Sequence, residues 1–126
     1  MPYSFNIHTV PGVIDVRCWG EFTAEECLAL LAEIHRHPDY RPGFHTLSDC
    51  RELSRAFTPH ELERVMAAIN IEPSERGGAR TAIVVAGDVQ FGMSRMFQAS
   101  SESRLGLTTQ VFRDMNEARH WLGADL

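Results

Sequence analysis

The sequence predicts an α/β fold: a five-stranded, mixed but mostly parallel sheet with four helices, in the order ββαβαβαβα. Three observations predict it. The chain opens on two runs of period-two hydrophobicity that flank Pro11-Gly12. From Thr23 onward, short apolar runs alternate with amphipathic stretches of helix length. Three of the helical stretches open on Thr or Asp three residues before a Glu, the pattern of a capped helix start. A two-residue turn permits only an antiparallel hairpin, and helix-length connections permit right-handed crossovers between parallel strands.

Residues 5–10 form the first strand and residues 13–19 the second, where Ile14, Val16 and Cys18 alternate with Asp15 and Arg17. Gly20-Glu21-Phe22 breaks the strand, and Thr23 with Glu26 opens a helix to about Arg36 whose inner face carries Cys27, Leu28, Leu31 and Ile34. Two prolines and a glycine in residues 37–43 end it. Residues 44–49 read as the third strand. Thr58, Pro59 and Glu61 start the second helix, with Leu62, Val65, Met66 and Ile69 inward. A polar break over residues 72–78 follows. Residues 80–86 are a near-continuous apolar run, the pattern of a strand covered on both faces. Residues 87–92 read as a loop, and the third helix runs from it to about Ser103, burying Met93, Met96 and Phe97. Residues 108–113 give the fifth strand. Asp114 with Glu117 caps the last helix, which carries Ala118, Trp121 and Leu122 inward until Gly123 stops it.

The 126 residues are room for one domain, spanning 1–126. Hydrophobic residues at 44% and charged residues at 23% are globular values that argue against disorder. A net charge of −5 argues against nucleic acid or an anionic membrane as partner. The twelve basic residues are all Arg, which excludes a lysine Schiff base and a P-loop. The start of the chain has no cationic, apolar leader pattern, and the longest apolar run, residues 81–86, is far short of the roughly 20 residues that span a bilayer. Cys18, Cys27 and Cys50 make no close pair and fit free, buried thiols in a reducing cytoplasm. His35, His37 and His45 lie near one another in sequence without a CxxC, so no metal and no cofactor is expected.

Ligands in open α/β sheets sit outside the carboxyl ends of the strands. That rim collects Asp49, Arg51 and Asp88. Asp49 and Asp88 are candidate paired carboxylates, although turn and cap roles explain aspartates at strand ends equally well. Gly87 to Gly92 before a helix offers free amides to an anion, with Arg95 one turn further on. Phe91, Met93, Met96 and Phe97 form an apolar stripe that suits either core packing or a greasy pocket. The expected ligand or partner site therefore comprises Asp49, Arg51, Asp88, Phe91, Gly92, Met93, Arg95, Met96 and Phe97, matched to a molecule with an acidic head and an apolar body. Cys50 with His45 or His60 is the one arrangement that fits a thiol nucleophile.

Five stretches carry a family resemblance. They are Gly20-Glu21-Phe22-Thr23; His37-Pro38-Asp39-Tyr40; Leu47-Ser48-Asp49-Cys50-Arg51; Phe91-Gly92-Met93-Ser94-Arg95-Met96-Phe97; and Val111-Phe112-Arg113-Asp114 leading to Glu117-Ala118-Arg119-His120-Trp121-Leu122. In order and spacing the chain resembles the SpoIIAA-like group of STAS/SEC14-like domains. These are relatives of bacterial anti-sigma-factor antagonists and, more distantly, of lipid-carrying CRAL-TRIO domains. The resemblance implies a non-enzymatic regulatory or protein-interaction module; the alternative is a carrier of a small amphipathic or lipid-like ligand held between the third helix and the sheet. Antagonists of the sporulation type carry an Asp-Ser-Ser-Gly-like motif at the second helix start. This chain has Ser48-Asp49-Cys50-Arg51-Glu52-Leu53-Ser54 there, which leaves Ser48, Ser54 and Thr58 as the hydroxyls for any phosphoswitch. The expected partners are an unknown protein or a small ligand, with no nucleic acid and no membrane insertion. An edge strand and a Met/Phe-rich helix make a homodimer the expected assembly. A cavity of about 300 Å³ or more would favour the carrier, and a packed core with an exposed apolar patch the interaction module.

Overall fold

The structure, a computed structural model, describes residues 2–69 and 78–123. Most of the polar break expected at residues 72–78 lies outside that range. Among these residues, nine elements follow in the expected order: β1 (Tyr3–His8), β2 (Val13–Gly20), α1 (Ala24–Arg36), β3 (His45–Leu53), α2 (Pro59–Ala68), β4 (Arg80–Val84), α3 (Asp88–Leu105), β5 (Thr108–Phe112) and α4 (Met115–Leu122). The five strands lie side by side in chain order; β1 is antiparallel to β2 and every other pair is parallel.

Right-handed crossovers between neighbouring parallel strands place α1, α2 and α3 on one face of the sheet. Helix α4 packs on the opposite face, over β3, β4 and β5. Strand parity divides the side chains accordingly. Tyr3, Ile14, Val16 and Cys18 join Phe22, Leu30 and Ile34 in a core beneath α1. Val13, Leu47, Ala82 and Val84 join Ala118 and Leu122 beneath α4. Thr23 and Thr58 each accept the amide of the Glu three residues on, and each Glu bonds the cap's own N–H in return. Asp114 makes one arm of that arrangement, accepting from the Glu117 amide at 3.0 Å.

Four expectations need correction. The hairpin turn is wider than Pro11-Gly12: β1 stops at His8, and Val10 is 89% exposed. Gly12 donates to the His8 carbonyl at φ 91°, a conformation strained for other residues, and a Cβ there would crowd the Phe44 ring at 3.1 Å. Strand β3 extends to Leu53, because a bulge after Arg17 lets Trp19 and Gly20 pair with Glu52 and Leu53. Strand β4 is correspondingly shorter, ending at Val84. The stretch read as a loop, residues 87–92, is the opening of α3: Gly87 is its cap and accepts from the Phe91 amide at 2.9 Å. Gly92 faces open space on that helix, so its position demands no glycine.

Candidate functional site

Between the sheet and the layer of α1, α2 and α3 lies a cavity of about 290 Å³. Ile14 and Val16 contribute to its floor, and Leu30, Leu62, Met93 and Phe97 reach it from the three helices. The sequence explains why the space exists. On this face β3 presents Thr46, Ser48 and Cys50, and β4 presents Thr81 beside Ile83; at the four shorter positions a packed sheet would carry Leu or Ile. The same strands turn Leu47, Ala82 and Val84 to α4, where packing is close. Short side chains under an 18-residue helix leave the volume unfilled.

Cys18, Cys27 and Cys50 also line this cavity, and all three are free thiols. Burial pushes the Cys27 thiol up to about 12. A hydrogen bond with Cys18, and then burial, push Cys50 upward too. At neutral pH these two are protonated and poorly nucleophilic. The arrangement of Cys50 with His45 or His60 is not formed. By strand parity, position 45 lies on the opposite face of β3 from position 50, and the His45 Nδ1 accepts the Arg80 amide at 3.0 Å. His60 is exposed in the first turn of α2.

The sheet divides the expected site. Met93 and Phe97 line the cavity, but strand parity places Asp49, like Leu47, on the α4 face, and Arg51 in the bulge is bonded to it. There the Arg51 guanidinium donates twice to the Asp49 carboxylate, both at 2.9 Å, and holds it below its usual range. Asp88 does not join Asp49; it pairs with Arg113 at 2.8 Å. The Arg113 guanidinium also lies 4.4 Å from the Phe91 ring centre. Gly92 and Arg95 are exposed, and Arg95 has no hydrogen bond or ion pair among the described residues. Met96 is 51% exposed rather than buried. It borders, with Phe97, Pro59 and Met66, a smaller crevice of about 90 Å³ between α2 and α3.

Of the three hydroxyls considered for a phosphoswitch, Ser48 faces the cavity. Ser54 is exposed just beyond β3, with its amide donating to Gly20. Thr58 is the cap of α2, its hydroxyl accepting from Glu61 at 3.2 Å. Thr46 and Thr81 were absent from the expected site. For Thr46 the signal is present in the sequence as a third strand more polar than a buried strand should be; Thr81 sits in a fourth strand whose apolar run hides it.

Among the described residues, no group of three or more His, Cys, Asp or Glu is placed to hold a metal, and no helix is long and apolar enough to cross a membrane. No protein-family model matches the chain, and neither does any curated protein. Among solved structures, it is similar to an uncharacterised DUF3478-family protein with a SpoIIAA-like fold from Shewanella loihica PV-4. The two share 20% identity at a TM-score of 0.59, over 95% of this chain and 93% of the other. With the strand order and the two-sided helix layers, that likeness shows that this chain has a SpoIIAA-like α/β fold.

Proposed function

We propose that this chain is a non-enzymatic, STAS-like regulatory or interaction module whose input is a small, mostly apolar molecule held between the sheet and the helix layer. The cavity of about 290 Å³ is the observation that supports the ligand; it lies close to the lower limit of about 300 Å³ for small-molecule sites. The fold supports the regulatory half only by analogy with its relatives. A second reading, a carrier that ferries the same molecule, draws on the same cavity and needs no responding protein. Three free cysteines support a reducing, cytoplasmic setting. The open edge of β1 supports a twofold dimer. Native mass spectrometry of the chain purified from its own host tests these points together. A retained small molecule supports the ligand, and a co-purifying protein that leaves when the ligand is added supports regulation over carriage. A bare 14.2 kDa monomer that takes up no apolar compound overturns the reading.

A further inference from the structure

We propose that the cavity selects an uncharged molecule with one oxygen-bearing head, an alcohol or a carbonyl compound, and seats that head against the hydroxyls of Thr46 and Thr81. The inference rests on the reading of the cavity as a ligand site and deepens it.

Strand register carries the argument. Ile14, Thr46, Thr81 and Thr109 are consecutive partners across β2, β3, β4 and β5, so three threonines form one row on the cavity floor. The Thr109 hydroxyl is already engaged: it shares a 3.1 Å hydrogen bond with Ser101, whose own hydroxyl donates to the Gln98 carbonyl at 3.0 Å. The hydroxyls of Thr46 and Thr81 make no hydrogen bond with any described residue. Neighbouring strands lie about 4.8 Å apart. A single oxygen placed between two hydroxyls at that spacing reaches both at ordinary hydrogen-bond length. Hydroxyls donate and accept, so an alcohol and a carbonyl are both satisfied there.

Charge excludes the other heads. No Arg, Asp or Glu is among the described lining residues, and the chain has no Lys. His35 is the one basic side chain of the described lining, and its ring stands edge-on to Tyr40 at 5.1 Å. A carboxylate or an ammonium seated in this cavity would therefore lose its water without gaining a counter-charge. The acidic head expected from Arg51 and Arg95 is thus replaced by a neutral one, because neither arginine lines the cavity. Size follows from volume: a dry cavity of about 150 Å³ takes up benzene, so this one suits a ligand of about a dozen non-hydrogen atoms.

Calorimetric titration of the delipidated full chain with decane, decanol, decanoate and decylamine, at mildly alkaline pH, tests the proposal. Decanol is expected to bind at least about tenfold more tightly than decanoate or decylamine, whose charged heads would lose their water without a counter-charge. The double variant Thr46→Val/Thr81→Val should bind decanol about tenfold more weakly, the worth of two neutral hydrogen bonds, and keep its affinity for decane. Thr46→Ser/Thr81→Ser, which restores the hydroxyls, should recover it. Decanoate binding as tightly as decanol, or a valine variant that binds decanol as tightly as the parent, would overturn the neutral-head proposal while the ligand site stands. Failure of both decane and decanol to bind would overturn the ligand site itself, and the proposal with it.

Discussion

Ser48→Leu separates a true cavity from a packed core by the sign of its effect on stability. Ser48 sits mid-floor, in register with Val16 on one side and Ile83 on the other, and its side chain faces the cavity. Leucine replaces the hydroxyl oxygen by three apolar carbons. At about 0.8 kcal/mol per buried methylene the added carbon contributes roughly 2 to 2.5 kcal/mol. Ordering the new side chain costs about 0.5–1 kcal/mol, so the net gain is about 1–2 kcal/mol. For a chain of this size, that raises the Tm by roughly 3–10 °C. The same insertion into a close-packed core costs about 1–3 kcal/mol through forced rotamers and backbone shifts. Thermal unfolding followed by circular dichroism reads the difference. A Ser48→Leu protein that melts below the parent would refute the account of the floor, and the ligand reading would lose its observation.

Three further outcomes follow from the packing and electrostatics. Trp121 is half-buried, tilted against Phe112 at 5.7 Å and capped by the Arg80 guanidinium at 5.5 Å. Trp121→Ala should therefore cost about 2–3 kcal/mol, less than the 3–5 kcal/mol of a fully buried tryptophan, and a chemical denaturation midpoint equal to the parent's would count against the docking of α4. Stability should fall in acid: the Arg55 guanidinium holds the Glu61 carboxyl at about 2 against an ordinary 4.5, so that contribution is full above pH 4.5 and drains as pH approaches 2. His45, held below 6.5 by burial and then by Arg80, acts in the same direction below pH 6.5, because the unfolded chain takes the proton first. Asp15, raised by burial, opposes them; a Tm that rises steadily on acidification, or a Glu61→Gln protein with an unchanged pH profile, would contradict the assignment. Finally, Cys27 and Cys50 should resist iodoacetamide in the folded chain at neutral pH and react promptly once it is unfolded; rapid alkylation of all three thiols in the native state would show that the helix layer does not shield them.

The fold was legible because its signals are local. The capping pairs Thr23/Glu26 and Thr58/Glu61 mark helix starts, and the alternation Ile14, Val16, Cys18 marks a strand with one apolar side. The start of α3 was misread because Gly87 and Gly92 look like loop glycines, although one is a cap and the other merely tolerates an exposed helical position. The candidate site was only half legible for a geometric reason. Asp49 and Cys50 are neighbours in sequence, yet a strand turns consecutive side chains to opposite faces. A rim drawn from sequence therefore merged two surfaces that the sheet keeps apart. Of the charged members, Asp49 and Arg51 pair with each other, Asp88 pairs with Arg113 from outside the expected site, and Arg95 is exposed on α3. The apolar members, Met93 and Phe97, belong to the cavity.

The alternation along β3 and β4 places a closely packed core and a cavity on opposite sides of the same strands. Backbone pairing is indifferent to which face a side chain takes, so the ladder holds whether or not each face is filled. Leu47, 1% exposed, and Val84 close the α4 side. Thr46, Ser48, Cys50 and Thr81 leave the other side short of apolar volume. A chain selected only for stability would fill that space, since a few buried methylenes at about 0.8 kcal/mol each are readily gained by substitution. A ligand at a hundred times its dissociation constant contributes about 2.7 kcal/mol, the same order as the missing packing. On the proposed function, an occupant would consolidate a helix layer that is short of packing when empty, and occupancy would be coupled to the stability of α2 and α3, the surface that a partner protein would have to distinguish.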